Sequence, residues 1–158
     1  MSASERWSAQ REALAVEALR GSGHLRLRVH GESMLPALWP GDVTEIQACS
    51  AAEVRRGEIV LTWRDGRFFL HRFLARNEVG FITRGDSVPR PDPASAGNAL
   101  LGRLVSVNRD GRPIKLRRRP WSRMISMLLC YSSIPRRAAL RLHSGKSHRV
   151  AAAELQSV

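Results

Sequence analysis

Residues 24–43 read HLRLRVHGESMLPALWPGDV. The run from His24 to His30 alternates polar and apolar residues, which places Leu25, Leu27 and Val29 on one face of a β-strand that Gly31 closes. Ser33–Leu38 is too short for a full helix, and it stops at Pro40-Gly41-Asp42, a turn signal that leads into a second strand at Val43–Ala48. A serine just after a strand, on a turn that begins with glycine, presents its hydroxyl and can aim its backbone N–H at a substrate carbonyl. That is the geometry of a nucleophile with an oxyanion donor.

Working outward, strands are predicted at Glu58–Trp63 and Arg67–Ala75, joined by Arg64-Asp65-Gly66, whose Asp-Gly pair suits a tight hairpin. A shorter strand follows at Val79–Thr83, and Gly85-Asp86 opens a loop rich in proline and aspartate that runs to Pro93. Ala99–Asn108 and Arg112–Leu116 form a second hairpin around Asp110-Gly111. Residues 5–20 space their apolar side chains at helical intervals and end at Gly21-Ser22-Gly23. The expected fold is mainly β: a small curled or barrel-like sheet with a short N-terminal helix and a basic helical C-terminal tail. Its expected divisions are a helix over 1–22, a β domain over 23–118 and a basic tail over 119–158. Within that tail, residues 121–132 and 135–142 are read as two short amphipathic helices.

With 158 residues, 43% of them hydrophobic, the chain is sized for one domain with a real core. Cys49 and Cys130 are far apart and do not cluster with histidine, so neither a disulfide framework nor a metal site is expected, and no cofactor is implied. The charged residues of the first twenty positions exclude a secretion signal. The longest apolar stretch, Met124–Tyr131, falls short of the roughly 20 residues that span a bilayer. Net charge is +12, and it is concentrated: residues 103–149 carry 13 Lys and Arg against Asp110 alone. Such a block draws an anionic membrane surface or an acidic protein. Nucleic acid is not expected as a partner, because no helix-turn-helix precedes the β domain and no aromatic stacking platform is visible.

A serine hydroxyl is a weak nucleophile and needs a base. The strand Arg67–Ala75 offers His71, with no lysine nearby; His30, closer in sequence, belongs to the strand before the serine. The other imidazole nitrogen needs a carboxylate to hold it, and Asp86 and Asp92 are the candidates. Four islands then stand in order: Gly31-Glu32-Ser33-Met34-Leu35-Pro36, Pro40-Gly41-Asp42-Val43, Arg56-Gly57-Glu58-Ile59-Val60 followed by Leu70-His71-Arg72, and Thr83-Arg84-Gly85-Asp86.

These islands, within residues 24–107, resemble the type I signal peptidases and, more distantly, the LexA-type self-cleaving repressors. Ser33-Met34-x-Pro36 with Gly41-Asp42 looks like the nucleophile box, and Arg56-Gly57-Glu58-Ile59-Val60 looks like the family's Arg-Gly-Asp-Ile-Val strand. The His71-Arg72 pair resembles the subgroup of archaea and the endoplasmic reticulum, which uses histidine where bacterial members use lysine. The resemblance implies Ser33 as nucleophile, His71 as general base and then acid, and Asp86 as the orienting carboxylate with Asp92 supporting or replacing it. It also implies a peptide or protein precursor bound as an added strand, with Arg26 and Arg28 on one side and Phe69 and Leu70 on the other. Gly31 stands where many signal peptidases carry a serine that helps hold the oxyanion, so backbone donors are expected to serve here. Residues 1–22 do not resemble the family's membrane anchor. The expectation is therefore a cytoplasmic peptidase, peripheral at the inner membrane surface through its basic tail, with a silent peptide-binding module or a LexA-like regulator as alternatives.

Overall fold

The computed structural model describes residues 3–115. The expected tail at 119–158, with its two helices and most of the basic block, lies outside the described residues. One helix, α1 (Ala3–Ser22), precedes seven strands: β1 (His24–Arg28), β2 (Val43–Ala48), β3 (Ile59–Arg64), β4 (Arg67–Arg76), β5 (Phe81–Arg84), β6 (Leu100–Arg109) and β7 (Arg112–Pro113). They form one antiparallel sheet in the order β1-β2-β6-β3-β4-β5, with β7 added to β6. The described residues are thus mainly β with one α-helix, as the alternating patterns indicate. The sheet is not closed into a barrel, because closure needs a ladder between its end strands and β1 and β5 make none with each other.

Turn chemistry fixes the two tight hairpins. Between β3 and β4, Asp65 (φ 51°) and Gly66 (φ 72°) both take the left-handed backbone that a type I′ turn requires, and Asp110 (φ 49°) and Gly111 (φ 75°) repeat it between β6 and β7. Strand alternation divides the core between the two sheet faces. On one face Leu61 of β3 and Ile46 of β2 pack with Leu19 of α1, together with Leu25, Leu27, Phe68 and Leu70. Leu70 and Leu104 extend this layer to Val29, Met34, Leu38, Ile59 and Val107. The other face carries Val54, Val60, Phe73, Phe81 and Leu100.

The segment between β1 and β2 is pinched at its base. Val29 N–H donates to Asp42 O and Gly41 N–H donates to Val29 O, both at 2.8 Å. Asp42, 1% exposed, accepts two hydrogen bonds of 2.8 Å from Arg109 of β6 and one of 2.8 Å from the Trp39 backbone N–H. Met34, Leu35 and Leu38 are buried. Ser33 therefore immediately precedes a segment tied to the sheet by apolar packing and by a buried ion pair. Among the described residues no helix is long and apolar enough to cross a membrane.

Asp42→Ala would leave the Arg109 guanidinium without its carboxylate and the Trp39 N–H without its acceptor. The expected cost is about 3 kcal/mol, the lower end for breaking a buried pair because Arg109 keeps some exposure to water. A fall in the urea midpoint at unchanged m-value would show it; a midpoint within error of the unsubstituted chain would show that this pair does not anchor the loop.

Candidate active site

His71 lies in β4 directly opposite Val60 of β3, and its side chain is 6% exposed. Alternation puts Phe69, His71 and Phe73 on one face of the strand and Leu70 and Arg72 on the other. Ser33, half-buried in the β1–β2 loop, brings Oγ to 3.0 Å from His71 Nε2. The other ring nitrogen, Nδ1, lies 2.6 Å from Asp92 Oδ2. Three separate parts of the chain therefore meet in one hydrogen-bonded row, serine to imidazole to carboxylate.

Asp92 is placed by β5. Its backbone N–H donates to Thr83 O at 2.8 Å, and the Thr83 hydroxyl donates to Oδ2 at 2.6 Å. Thr83 pairs with Phe73 of β4, so it projects from the same face as His71. Burial opposes ionisation of Asp92, but hydrogen bonds from His71 and Thr83, with the positive charges of His71 and Arg64, outweigh it and hold the carboxyl below its usual range. An ionised carboxylate only accepts hydrogen bonds. Nδ1 of His71 therefore carries a proton, and in the neutral ring Nε2 is then the acceptor for the Ser33 hydroxyl.

Asp86, expected at the imidazole, is elsewhere. It accepts two hydrogen bonds from Arg72, at 2.7 Å and 2.6 Å, while the same guanidinium donates to Gly57 O at 2.6 Å. Arg72 follows His71 directly, so the strand turns it to the opposite face and Asp86 goes with it. Asp86 raises the proton affinity of Arg72 further. This pair fixes the start of the β5–β6 connection, and that start touches Ser33. Ser87 N–H donates to Ser33 O at 2.9 Å, and Ser87 Oγ donates to Glu32 O at 2.7 Å. A Cβ on Gly85 would stand 2.6 Å from Ser33 O and 3.0 Å from Ser33 Cβ. The loop can approach this closely only because residue 85 has no side chain.

The expected binding residues divide. Phe69 is half-buried with its ring centroid 5.8 Å from that of His71. Leu70 packs into the core on the opposite face. Arg26 and Arg28 are exposed on β1, and β2, β6 and β3 lie between β1 and β4 in the ladder. β5 pairs only with residues Arg72 to Arg76, so no described strand covers the outer edge of β4 over Arg67–His71. Thr83, Gly85, Ser87 and Arg64 contribute to the site without having been assigned roles from the sequence; Thr83 and Gly85 stood in the fourth island, but their contacts depend on how β5 and the segment after it lie on the sheet. Among the described residues no group of three His, Cys, Asp or Glu is placed to hold a metal ion. Neither a protein-family model nor a curated protein matches the chain.

Two outcomes follow from this geometry. Because the carboxyl of Asp92 titrates lower in the folded chain than in the unfolded one, it stabilises the fold above the unfolded value of about 3.9, and that contribution is lost as pH falls through the lower folded value. Asp92→Asn should therefore be less stable at pH 7 yet show a flatter loss of stability below about pH 4 in acid titrations followed by circular dichroism; parallel curves would contradict the assignment. Gly85→Ala should cost about 1–3 kcal/mol in urea unfolding, as overpacking does, because the closest clash, at 2.6 Å, is with Ser33 backbone O and stays even if Val88 Cγ2, at 2.9 Å, gives way.

Proposed function

We propose that this chain is a serine peptidase in which Ser33 is the nucleophile, His71 the general base and Asp92 the orienting carboxylate. The observation that carries the reading is the row Ser33 Oγ to His71 Nε2 at 3.0 Å and His71 Nδ1 to Asp92 Oδ2 at 2.6 Å. Nucleophile, base and orienting acid lie at hydrogen-bonding distance in the order that acyl transfer needs. The resemblance of the four sequence islands to the signal-peptidase and LexA type supports the same reading, and we assign the sheet to that type.

The substrate is a peptide or protein segment. Its backbone adds to the open edge of β4 at Arg67–Leu70, which brings a scissile carbonyl past the loop carrying Ser33. As Oγ attacks the carbonyl carbon, its proton passes to Nε2, and Asp92 stabilises the resulting imidazolium without itself taking the proton. The carbonyl oxygen becomes an oxyanion facing backbone donors at the Ser33 turn. Collapse breaks the C–N bond, and His71 returns its proton to the leaving amine, so an acyl ester on Ser33 remains. Water then attacks that ester, again giving its proton to Nε2. The acid product leaves and the serine regains its hydrogen. Asp86 has a different duty: paired with Arg72, it holds the Gly85–Ser87 segment against the back of Ser33.

A 4-nitrophenyl ester tests this directly. The unsubstituted chain should release a burst of nitrophenolate and gain the acyl mass on the peptide containing Ser33. Ser33→Ala should abolish that label, and Asp92→Asn, which permits the wrong tautomer, should slow acylation by about 10³–10⁴-fold. Labelling that persists in Ser33→Ala, or an unsubstituted chain that never labels Ser33, would defeat the enzyme reading and leave a peptide-binding module.

A further inference from the structure

Arg64, the last residue of β3, touches two groups that flank His71. One guanidinium nitrogen lies 3.8 Å from Asp92 Oδ1, the oxygen not used by His71 and Thr83. The guanidinium carbon also sits 4.5 Å from the centroid of the Phe69 ring, which in turn lies 5.8 Å from the His71 ring. Thr62 of β3 pairs with Phe69 of β4, so the two strands place Arg64 and Phe69 on one face of the hairpin, two residues apart along β3. The result is a closed circuit: Arg64 to Asp92, Asp92 to His71, His71 to Phe69, and Phe69 back to Arg64.

We infer that Arg64 is a positioning residue for the base: it clamps Asp92 from the side opposite Thr83, holds Phe69 against the imidazole, and opposes a positive charge on His71. This rests on the peptidase reading for its purpose, but not for its geometry. The imidazole needs a fixed ring plane and a fixed tautomer, and the carboxylate alone supplies one contact to one nitrogen. An aromatic wall beside the ring, itself pinned by a cation on its face, restricts the remaining rotation. The charge acts in the opposite sense to Asp92, which favours the imidazolium. The site thus sets one anion against one cation around a single imidazole.

The charged and titratable groups facing this imidazole come from several elements. Asp92 comes from the segment after β5, Arg64 from β3 and the Ser33 hydroxyl from the β1–β2 loop. Asp65, in the β3–β4 turn, lies 3.8 Å from Arg64, but it is 88% exposed and screened by water. Arg72 and Asp86 are turned to the far face of β4. Arg64 itself is a quarter exposed, so its influence is that of a partly solvated charge.

Two readouts separate this inference from the activity it serves. The titration of the His71 ring, followed by NMR in the full chain, needs no turnover. Arg64→Gln should move its midpoint upward, the direction expected when a positive charge near the ring is lost. Arg64→Lys, which keeps the charge, should bring the midpoint back to that of the unsubstituted chain. In the nitrophenyl ester assay, the acid limb of the acylation rate should shift with the titration in Arg64→Gln and return in Arg64→Lys. An Arg64→Gln midpoint equal to the unsubstituted one would overturn the inference, whereas an unsubstituted chain that fails to acylate Ser33 while the midpoint still moves would overturn only the peptidase reading. Arg64→Gln that shows the midpoint shift but also unfolds more readily is read against Arg64→Ala, which should shift the midpoint equally.

Discussion

The site depends on two loops being able to touch. The β1–β2 loop carries Ser33, the segment after β5 carries Ser87 and Asp92, and Ser87 joins them by two hydrogen bonds, its N–H to Ser33 O at 2.9 Å and its Oγ to Glu32 O at 2.7 Å. Each such bond contributes only about 1 kcal/mol net, so the pair cannot hold the two segments by itself. The geometry of the contact is imposed from both ends. On one side, Met34, Leu35 and Leu38 bury the residues just after the serine, and Asp42 with Arg109 ties the end of the loop to β6. On the other, the Asp86–Arg72 pair fixes the residue next to Ser87 to β4. The contact at Gly85 is then a consequence of two anchored surfaces meeting, and a side chain there would separate them.

The same segment supplies two carboxylates with different work, and β4 decides which does what. Neighbouring residues on a strand face opposite sides, so His71 and Arg72 divide the space around β4 between them. Asp86 emerges close to the end of β5 and meets the arginine. Asp92 returns to β5 through Thr83 O and meets the histidine. Charge balance follows from this division. The guanidinium of Arg72 neutralises Asp86 in a bidentate pair, which suits a structural clamp. Asp92 instead shares one oxygen between a hydroxyl and an imidazole, while its other oxygen faces the more distant Arg64 guanidinium at 3.8 Å.

Most of the strand positions were legible in the sequence because polar and apolar residues alternate in them and Asp-Gly pairs separate them. The predicted Val43–Ala48 is β2, and the predicted Arg67–Ala75 is β4 short of its last residue. The serine and histidine were legible for a similar reason: each sits at a marked place, a turn after a strand and the middle of a strand. The choice between the two candidate carboxylates was not. Asp86 stands beside a glycine turn, as a functional residue often does, whereas Asp92 lies between Pro91 and Pro93 in what reads as plain loop. Choosing between them requires the register of β5 on β4, a long-range property that no local pattern encodes. Openness of the sheet is of the same kind, since the strands could have been listed correctly in either an open or a closed arrangement. Leu70 shows a smaller version of the difficulty: a residue adjacent to the base in sequence is, on a strand, on the wrong side of the sheet from it.

An uncovered strand edge is ordinarily a hazard, because its free N–H and C=O groups recruit other chains. Among the described residues, the edge of β4 that no strand covers is confined to the half that precedes Arg72, since β5, only four residues long, covers the other half. The boundary between the covered and uncovered halves falls between His71 and Arg72. On the proposed reading, an extended segment that pairs with this half would reach its end at the imidazole, 3.0 Å from which lies Ser33 Oγ. Main-chain pairing of this sort accepts many sequences, so it can position a backbone but cannot choose one. On that reading, discrimination falls to the side chains of the added strand. Beside His71 on the same face of β4 stands Phe69, whose ring lies against the Arg64 guanidinium as well as near the imidazole. A substrate side chain that pressed on Phe69 would therefore also press on the His71 ring, and the proposed reading joins substrate fit to the placement of the imidazole.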